Sequence, residues 1–204
     1  MELYLIRHTA VLAPGLCYGH LDVPLADTFA AEAERVRAHL PPLSGPAAAP
    51  WCVLSSPATR CRRLAEALWP AAAAAAPANV VAPLILSEPR LRELHFGAWE
   101  GRPWAELPPA ELDPWMADFV HQAPPGGESF AELHVRTGAL LAELLAAPPA
   151  GPVALITHAG AVRSLLCHAL ALPPRQAFQL AVDYASVSGL RHGRAGWEVR
   201  FVNR

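Results

Sequence analysis

Short apolar runs recur along the chain, each ended by a polar residue or a breaker: Leu3–Ile6, Trp51–Leu54 and Val153–Ile156. Runs of this kind read as strands buried on both faces, as in parallel sheets. Val80 to Ser87 predicts a further strand, with Pro83 pointing to an edge position or an irregular start. Between these runs the apolar spacing turns helical. Phe29, Ala33, Val36 and Leu40 predict a helix from about Asp27 to Leu40, ended by Pro41-Pro42. Ser56-Pro57 reads as an N-cap with proline at the first helical position, opening a helix to about Leu68. Ser129-Phe130-Ala131-Glu132 matches the capping box, and Phe130, Leu133, Leu140, Leu141 and Leu144 give the helix after it one apolar stripe. A last helix is expected from His158-Ala159-Gly160 to about Leu170. Ala185 to Leu190 and Trp197 to Val202, flanking Arg191 to Gly196, predict a closing hairpin. The remainder reads as connection: Ser44 to Pro50, the Ala-rich Pro70 to Pro77, the irregular Leu91 to Gly101, and proline-broken helical turns from Trp104 to Val120. The alternation predicts an α/β fold, a three-layer α/β/α sandwich, with a mostly parallel sheet and an antiparallel C-terminal hairpin. It is read as one domain over residues 1–204.

Composition narrows the function classes. Hydrophobic residues make up 53% and charged residues 17%, which excludes a disordered chain. A net charge of −2 without a long basic run speaks against nucleic acid or an anionic membrane as partner. Cys17, Cys52, Cys61 and Cys167 fit no zinc spacing, and the chain enters a strand directly after Met1. Reduced thiols in a cytoplasmic protein are therefore expected, and no apolar stretch suits a membrane span.

The candidate chemistry sits where strands end. Ligands of open α/β sheets lie beyond the carboxyl ends of the strands. Arg7-His8 and His158 occupy such ends, one near each terminus. Arginine brings a permanent forked cation suited to phosphate, and histidine a nitrogen that is unprotonated near neutral pH. Arg60, Arg62 and Arg63 crowd the start of a predicted helix, where cations oppose the helix dipole; an anion nearby would resolve that conflict.

Together these stretches resemble a known family. Leu5-Ile6-Arg7-His8-Thr9 resembles the Arg-His signature of the histidine phosphatase, or phosphoglycerate-mutase-like, superfamily. Ser55-Ser56-Pro57-Ala58-Thr59-Arg60, the Leu91–Gly101 loop and Thr157-His158-Ala159-Gly160 are similar to its other blocks, in family order. The resemblance implies that His8 is a nucleophile forming phosphohistidine, oriented by a backbone carbonyl on its other nitrogen. It implies that Arg7, Arg60 and His158 surround the phosphoryl oxygens and that Glu93 is the general acid. No metal and no cofactor enter this scheme. The competing readings pair Arg60 with Glu66 or a surface acid and make Glu100 the acid. The other histidines are expected to be packing or surface residues, with His20 and His95 lying nearest the pocket.

The run Cys17-Tyr18-Gly19-His20-Leu21-Asp22-Val23-Pro24-Leu25 is similar to one found in α-ribazole phosphatases, which act late in cobalamin nucleotide-loop assembly. Thr9 stands where many relatives carry Gly, and Ala159 replaces a frequent Gly. The Thr9 hydroxyl or the backbone of Tyr18 and Gly19 is then expected to supply substrate contacts. The partner implied is a small phosphorylated metabolite, and the resemblance admits a homodimer. A broad sugar-phosphate phosphatase, a phosphoglycerate mutase-type enzyme and, in another class, a non-catalytic phosphate-binding module remain open.

Overall fold

The computed structural model describes residues 1–42, 50–70 and 83–204. Six strands form one mixed sheet in the order β3-β2-β4-β1-β5-β6. They are β1 (Glu2–Arg7), β2 (Cys52–Ser55), β3 (Ile85–Ser87), β4 (Val153–Thr157), β5 (Val187–Gly193) and β6 (Gly196–Phe201). β1, β2, β3 and β4 pair in parallel, whereas β5 and β6 pair antiparallel. Five α-helices accompany them: α1 (Phe29–Ala38), α2 (Thr59–Leu68), α3 (Pro109–Ala117), α4 (Phe130–Ala146) and α5 (Ala159–Leu170).

The apolar runs explain the layers. Side chains alternate faces along a strand, so a run without polar interruption must be covered on both sides. Leu3, Leu5, Val153 and Leu155 pack with Leu140, Leu144, Val162 and Leu165 of α4 and α5. Ile6, Val53, Ala154 and Ile156 pack with Val36, Leu64 and Leu68 of α1 and α2 on the opposite face. A third cluster, including Trp99, Trp115, Phe130 and Leu133, anchors the excursion between β3 and α4.

Several boundaries differ from expectation. α1 is shorter than Asp27 to Leu40, and Thr28 makes no capping bond. α2 starts at Thr59 rather than at Pro57, and the residue before it is Ala58. Its first amide is met from outside: Asp22 accepts from the Thr59 N–H at 2.9 Å and from its hydroxyl at 2.7 Å. The strand expected over Val80 to Ser87 is seen as β3 at the sheet edge; residues 80–82 lie outside the described residues, as do most of the two connections read at 44–50 and 70–77. The closing hairpin has a tighter turn than expected, because Arg191 and His192 continue β5. The capping box at α4 forms as predicted, with Ser129 and Glu132 each accepting from the other's amide. No helix is long and apolar enough to cross a membrane among the described residues.

Candidate active site

Register places the two histidines. β1 and β4 lie side by side in parallel with Arg7 opposite Thr157. The next residue of each strand, His8 and His158, therefore leaves the sheet at the same edge. The His8 amide donates to the Thr157 carbonyl at 2.9 Å. The two rings meet edge to face with centroids 5.1 Å apart, and both are buried.

Their hydrogen bonds differ. His8 Nδ1 lies 2.7 Å from the Thr9 carbonyl. A carbonyl only accepts, so Nδ1 carries the proton and Nε2 keeps its lone pair. Burial, followed by the charges of Arg60 and Arg7, holds this imidazole well below its ordinary pKa. His158 Nδ1 faces the Arg60 Nε–H at 3.3 Å and must accept, which puts its proton on Nε2, 2.9 Å from the Ser56 hydroxyl. Burial, Arg60 and His8 keep His158 neutral too. The Cys61 thiol lies 3.4 Å from His158 Nε2, and burial raises its pKa far above the ordinary value, leaving it protonated.

Two cations frame these rings, Arg60 buried and Arg7 partly buried. Arg60 has no exposed surface and donates to the carbonyls of Gly19 at 2.6 Å and Leu21 at 3.0 Å. Its ion-pair partner is Asp22, at 3.7 Å and half exposed; Glu66 pairs instead with Arg62 and Arg63. Arg7 donates to the Val182 carbonyl at 2.7 Å and lies 3.7 Å over the Tyr184 ring, with its Nε unpartnered. Among the described residues Arg7 has no carboxylate partner. The cluster thus carries a surplus of positive charge in a desolvated setting, the condition that favours an anion.

The Cys17–Leu25 run wraps this cluster. The Tyr18 ring lies 5.2 Å from the Arg60 guanidinium, and its hydroxyl meets that of Tyr184 at 2.6 Å. A Cβ on Gly19 would sit 1.9 Å from the Leu94 carbonyl, so only glycine lets the two loops approach there. Thr9 is fully buried and its hydroxyl has no partner.

Glu93 lies against the N-terminus of α5. Its carboxylate accepts from the Gly160 amide at 3.1 Å and the Leu94 amide at 3.0 Å. A Cβ on Gly160 would lie 2.3 Å from that carboxylate, so any larger residue at 160, one position beyond Ala159, would push the Glu93 carboxylate from its place. The Glu93 carbonyl accepts from His20 Nε2 and from Arg136, each at 3.0 Å. Arg136 also holds the carbonyls of Arg90 and Arg92 and pairs with Glu128. Glu100 is engaged differently. Burial raises its pKa, but the amides of His20, Leu21 and Phe96 outweigh burial and hold it below the ordinary value. Its oxygens are spent on tying loops together.

The structure gathers Arg7, His8, Arg60 and His158 into one cluster, with Thr9, Tyr18 and Gly19 around it and Glu93 reached through Gly160. It adds Asp22, Ser56, Arg136 and Tyr184, which the sequence reading did not single out. Asp22 lay within the recognised run; Arg136 and Tyr184 carried no local signal. Among the described residues no group of three or more His, Cys, Asp or Glu side chains could hold a metal ion.

Comparisons with known proteins bear on the fold and the family. The Shigella flexneri α-ribazole phosphatase superposes with a TM-score of 0.83 at 24% identity, covering 100% of this chain and 96% of that one, which establishes the fold. A mycobacterial glucosyl-3-phosphoglycerate phosphatase gives 0.76 at 26% identity over 99% and 98% of the two chains. Among sequence relatives, a Yersinia enterocolitica protein named "Probable phosphoglycerate mutase GpmB" is 33% identical over 117 residues, 55% of this chain and 54% of that protein. The chain thus spans about half the length of the curated relatives it matches. The family model described as histidine phosphatase superfamily (branch 1) matches residues 3–204. A match over that span, on a chain whose two strand-end histidines converge beside Arg7 and Arg60, means that the protein belongs to the histidine phosphatase superfamily.

Proposed function

We propose that the protein is a phosphomonoester hydrolase working through a phosphohistidine on His8. The observation that carries this reading is the His8 ring itself: one nitrogen tied to the Thr9 carbonyl, the other unprotonated, with Arg7 and Arg60 beside it. The His8 Nε2 lone pair attacks phosphorus, and the bond from phosphorus to the ester oxygen breaks. Glu93, in its acid form, gives that oxygen its proton. Water then attacks phosphorus, Glu93 takes the proton back, and the P–N bond breaks to restore His8. Arg7, Arg60 and the α5 amides offset the charge of the transferring group, the larger part of what phosphoryl transfer asks of a protein.

α-Ribazole 5′-phosphate is the substrate we favour, supported by the Cys17–Leu25 run and by the α-ribazole phosphatase among the structural neighbours. A mutase reading has one observation behind it, the name carried by the GpmB relatives. The test is a panel of α-ribazole 5′-phosphate, sugar phosphates and 3-phosphoglycerate without added metal, following both phosphate release and isomer formation. Phosphate release led by α-ribazole 5′-phosphate is expected. Isomerisation of 3-phosphoglycerate without phosphate release would overturn the hydrolase reading.

A further inference from the structure

A narrow, solvent-open cleft of about 90 Å³ adjoins Glu93. Ala159, Gly160 and Arg163 of α5 line one part of it, and Phe96, Trp115, Phe119, Phe130 and Phe178 much of the rest. Phe178 is 55% exposed although it packs edge-on against Phe119 with centroids 4.7 Å apart. Arg163 lies 5.0 Å over the Phe178 ring, within electrostatic reach of both Glu93 and Arg7. The cleft meets the site through Glu93 and Gly160, which line it and are joined by the Gly160 amide.

We infer that this cleft receives the alcohol half of the phosphomonoester, and that it selects a flat apolar or aromatic group. The inference rests on the phosphohistidine reading. If Glu93 protonates the leaving oxygen, whatever hangs from that oxygen must pass Glu93. The walls beside Glu93 are aromatic, and the charged groups among them are Glu93 and Arg163 alone. A small polyhydroxylated alcohol would shed water there with few partners, whereas in α-ribazole 5′-phosphate the base beyond the ribose supplies a flat apolar surface. A ring would instead meet ring faces and edges, and its apolar surface would leave water.

The test compares benzyl phosphate with glycerol 1-phosphate. Both leave as alkoxides, so both need the same proton from Glu93. Benzyl phosphate is expected to have a kcat/KM about tenfold or more above that of glycerol 1-phosphate, the range one apolar pocket contact supports. In Phe178→Ala the ratio of the two is expected to drop several-fold. The ratio corrects for any general loss of folded enzyme. Equal kcat/KM values, or an unchanged ratio in Phe178→Ala, would overturn the inference while leaving the hydrolase reading intact. Hydrolysis of neither ester would overturn the inference, and failure to hydrolyse α-ribazole 5′-phosphate as well would overturn both.

Discussion

The β1–His8 turn and the β4–His158 turn look alike in sequence, an apolar strand running into a histidine, yet the structure uses them for opposite purposes. His8 is tied at one nitrogen by its own neighbour's carbonyl and keeps the other free. His158 spends both nitrogens on the protein, on Arg60 and on Ser56. The second turn also begins α5, whose Gly160 amide holds Glu93. On the proposed mechanism, the first turn presents the attacking atom, and the second organises the cation and the acid that would let the leaving group go. Burial is nearly equal in the two, so it does not tell them apart; the partners of the ring nitrogens do.

The most severe way to break this comparison is to remove each ring. His8→Ala is expected to lower kcat by roughly 10⁴-fold or more, since no other group of the cluster replaces the nucleophile. His158→Ala is expected to cost about 10²- to 10³-fold, the scale of losing one element of charge stabilisation. Steady-state rates on an aryl phosphate measure both, and equal losses would remove the distinction drawn here.

A smaller effect sharpens it. Arg136 touches neither histidine but holds three carbonyls of the loop that carries Glu93. A lysine head cannot reproduce that fork. Arg136→Lys is expected to lower kcat/KM about tenfold or more for an alkyl phosphate, whose alkoxide needs a proton. For p-nitrophenyl phosphate, whose leaving group needs none, the loss is expected to be much smaller. Equal losses on the two substrates would reduce Arg136 to a stabilising residue.

The property that the two histidines share gives the mildest effect. Both are held neutral in the fold, while in the unfolded chain a histidine protonates below about pH 6.5. The unfolded state then binds protons that the native state refuses. Stability from this source is complete above that pH and is lost as pH falls, by up to about 1.4 kcal/mol per pH unit for each histidine until its folded pKa is reached. The stacked His134, pushed down to about 4 by burial and by His168, adds to the same trend. Urea midpoints measured from pH 7.5 to 5 are expected to fall steadily, and less steeply in His158→Ala. A flat profile would contradict the burial of neutral rings.

Much of this was legible in the chain because it is local. An apolar run that stops at Arg7-His8 shows a strand end from a handful of residues, and the Ser129–Glu132 box encodes its own cap. The pairing of Arg7 with Thr157 is not local, and it alone brings His8 and His158 together. Ser56-Pro57 shows how a local reading goes astray. Its hydroxyl serves His158, and Asp22, far earlier in the chain, meets the first amide of α2. The awkward cations of that helix resolve in the same way, Arg60 inward to carbonyls and Asp22, Arg62 and Arg63 outward to Glu66. Arg136 left no trace in the sequence because its partners include backbone carbonyls, which every residue has.

The most direct measurement is the site of the covalent phosphate. The protein, mixed with an aryl phosphate and quenched in base during the first turnover, is expected to carry one phosphoryl group on Nε2 of His8, assigned by ³¹P NMR together with peptide mass spectrometry. A phosphoryl group on His158, on Nδ1 of His8, or turnover with no labelled histidine would contradict the account.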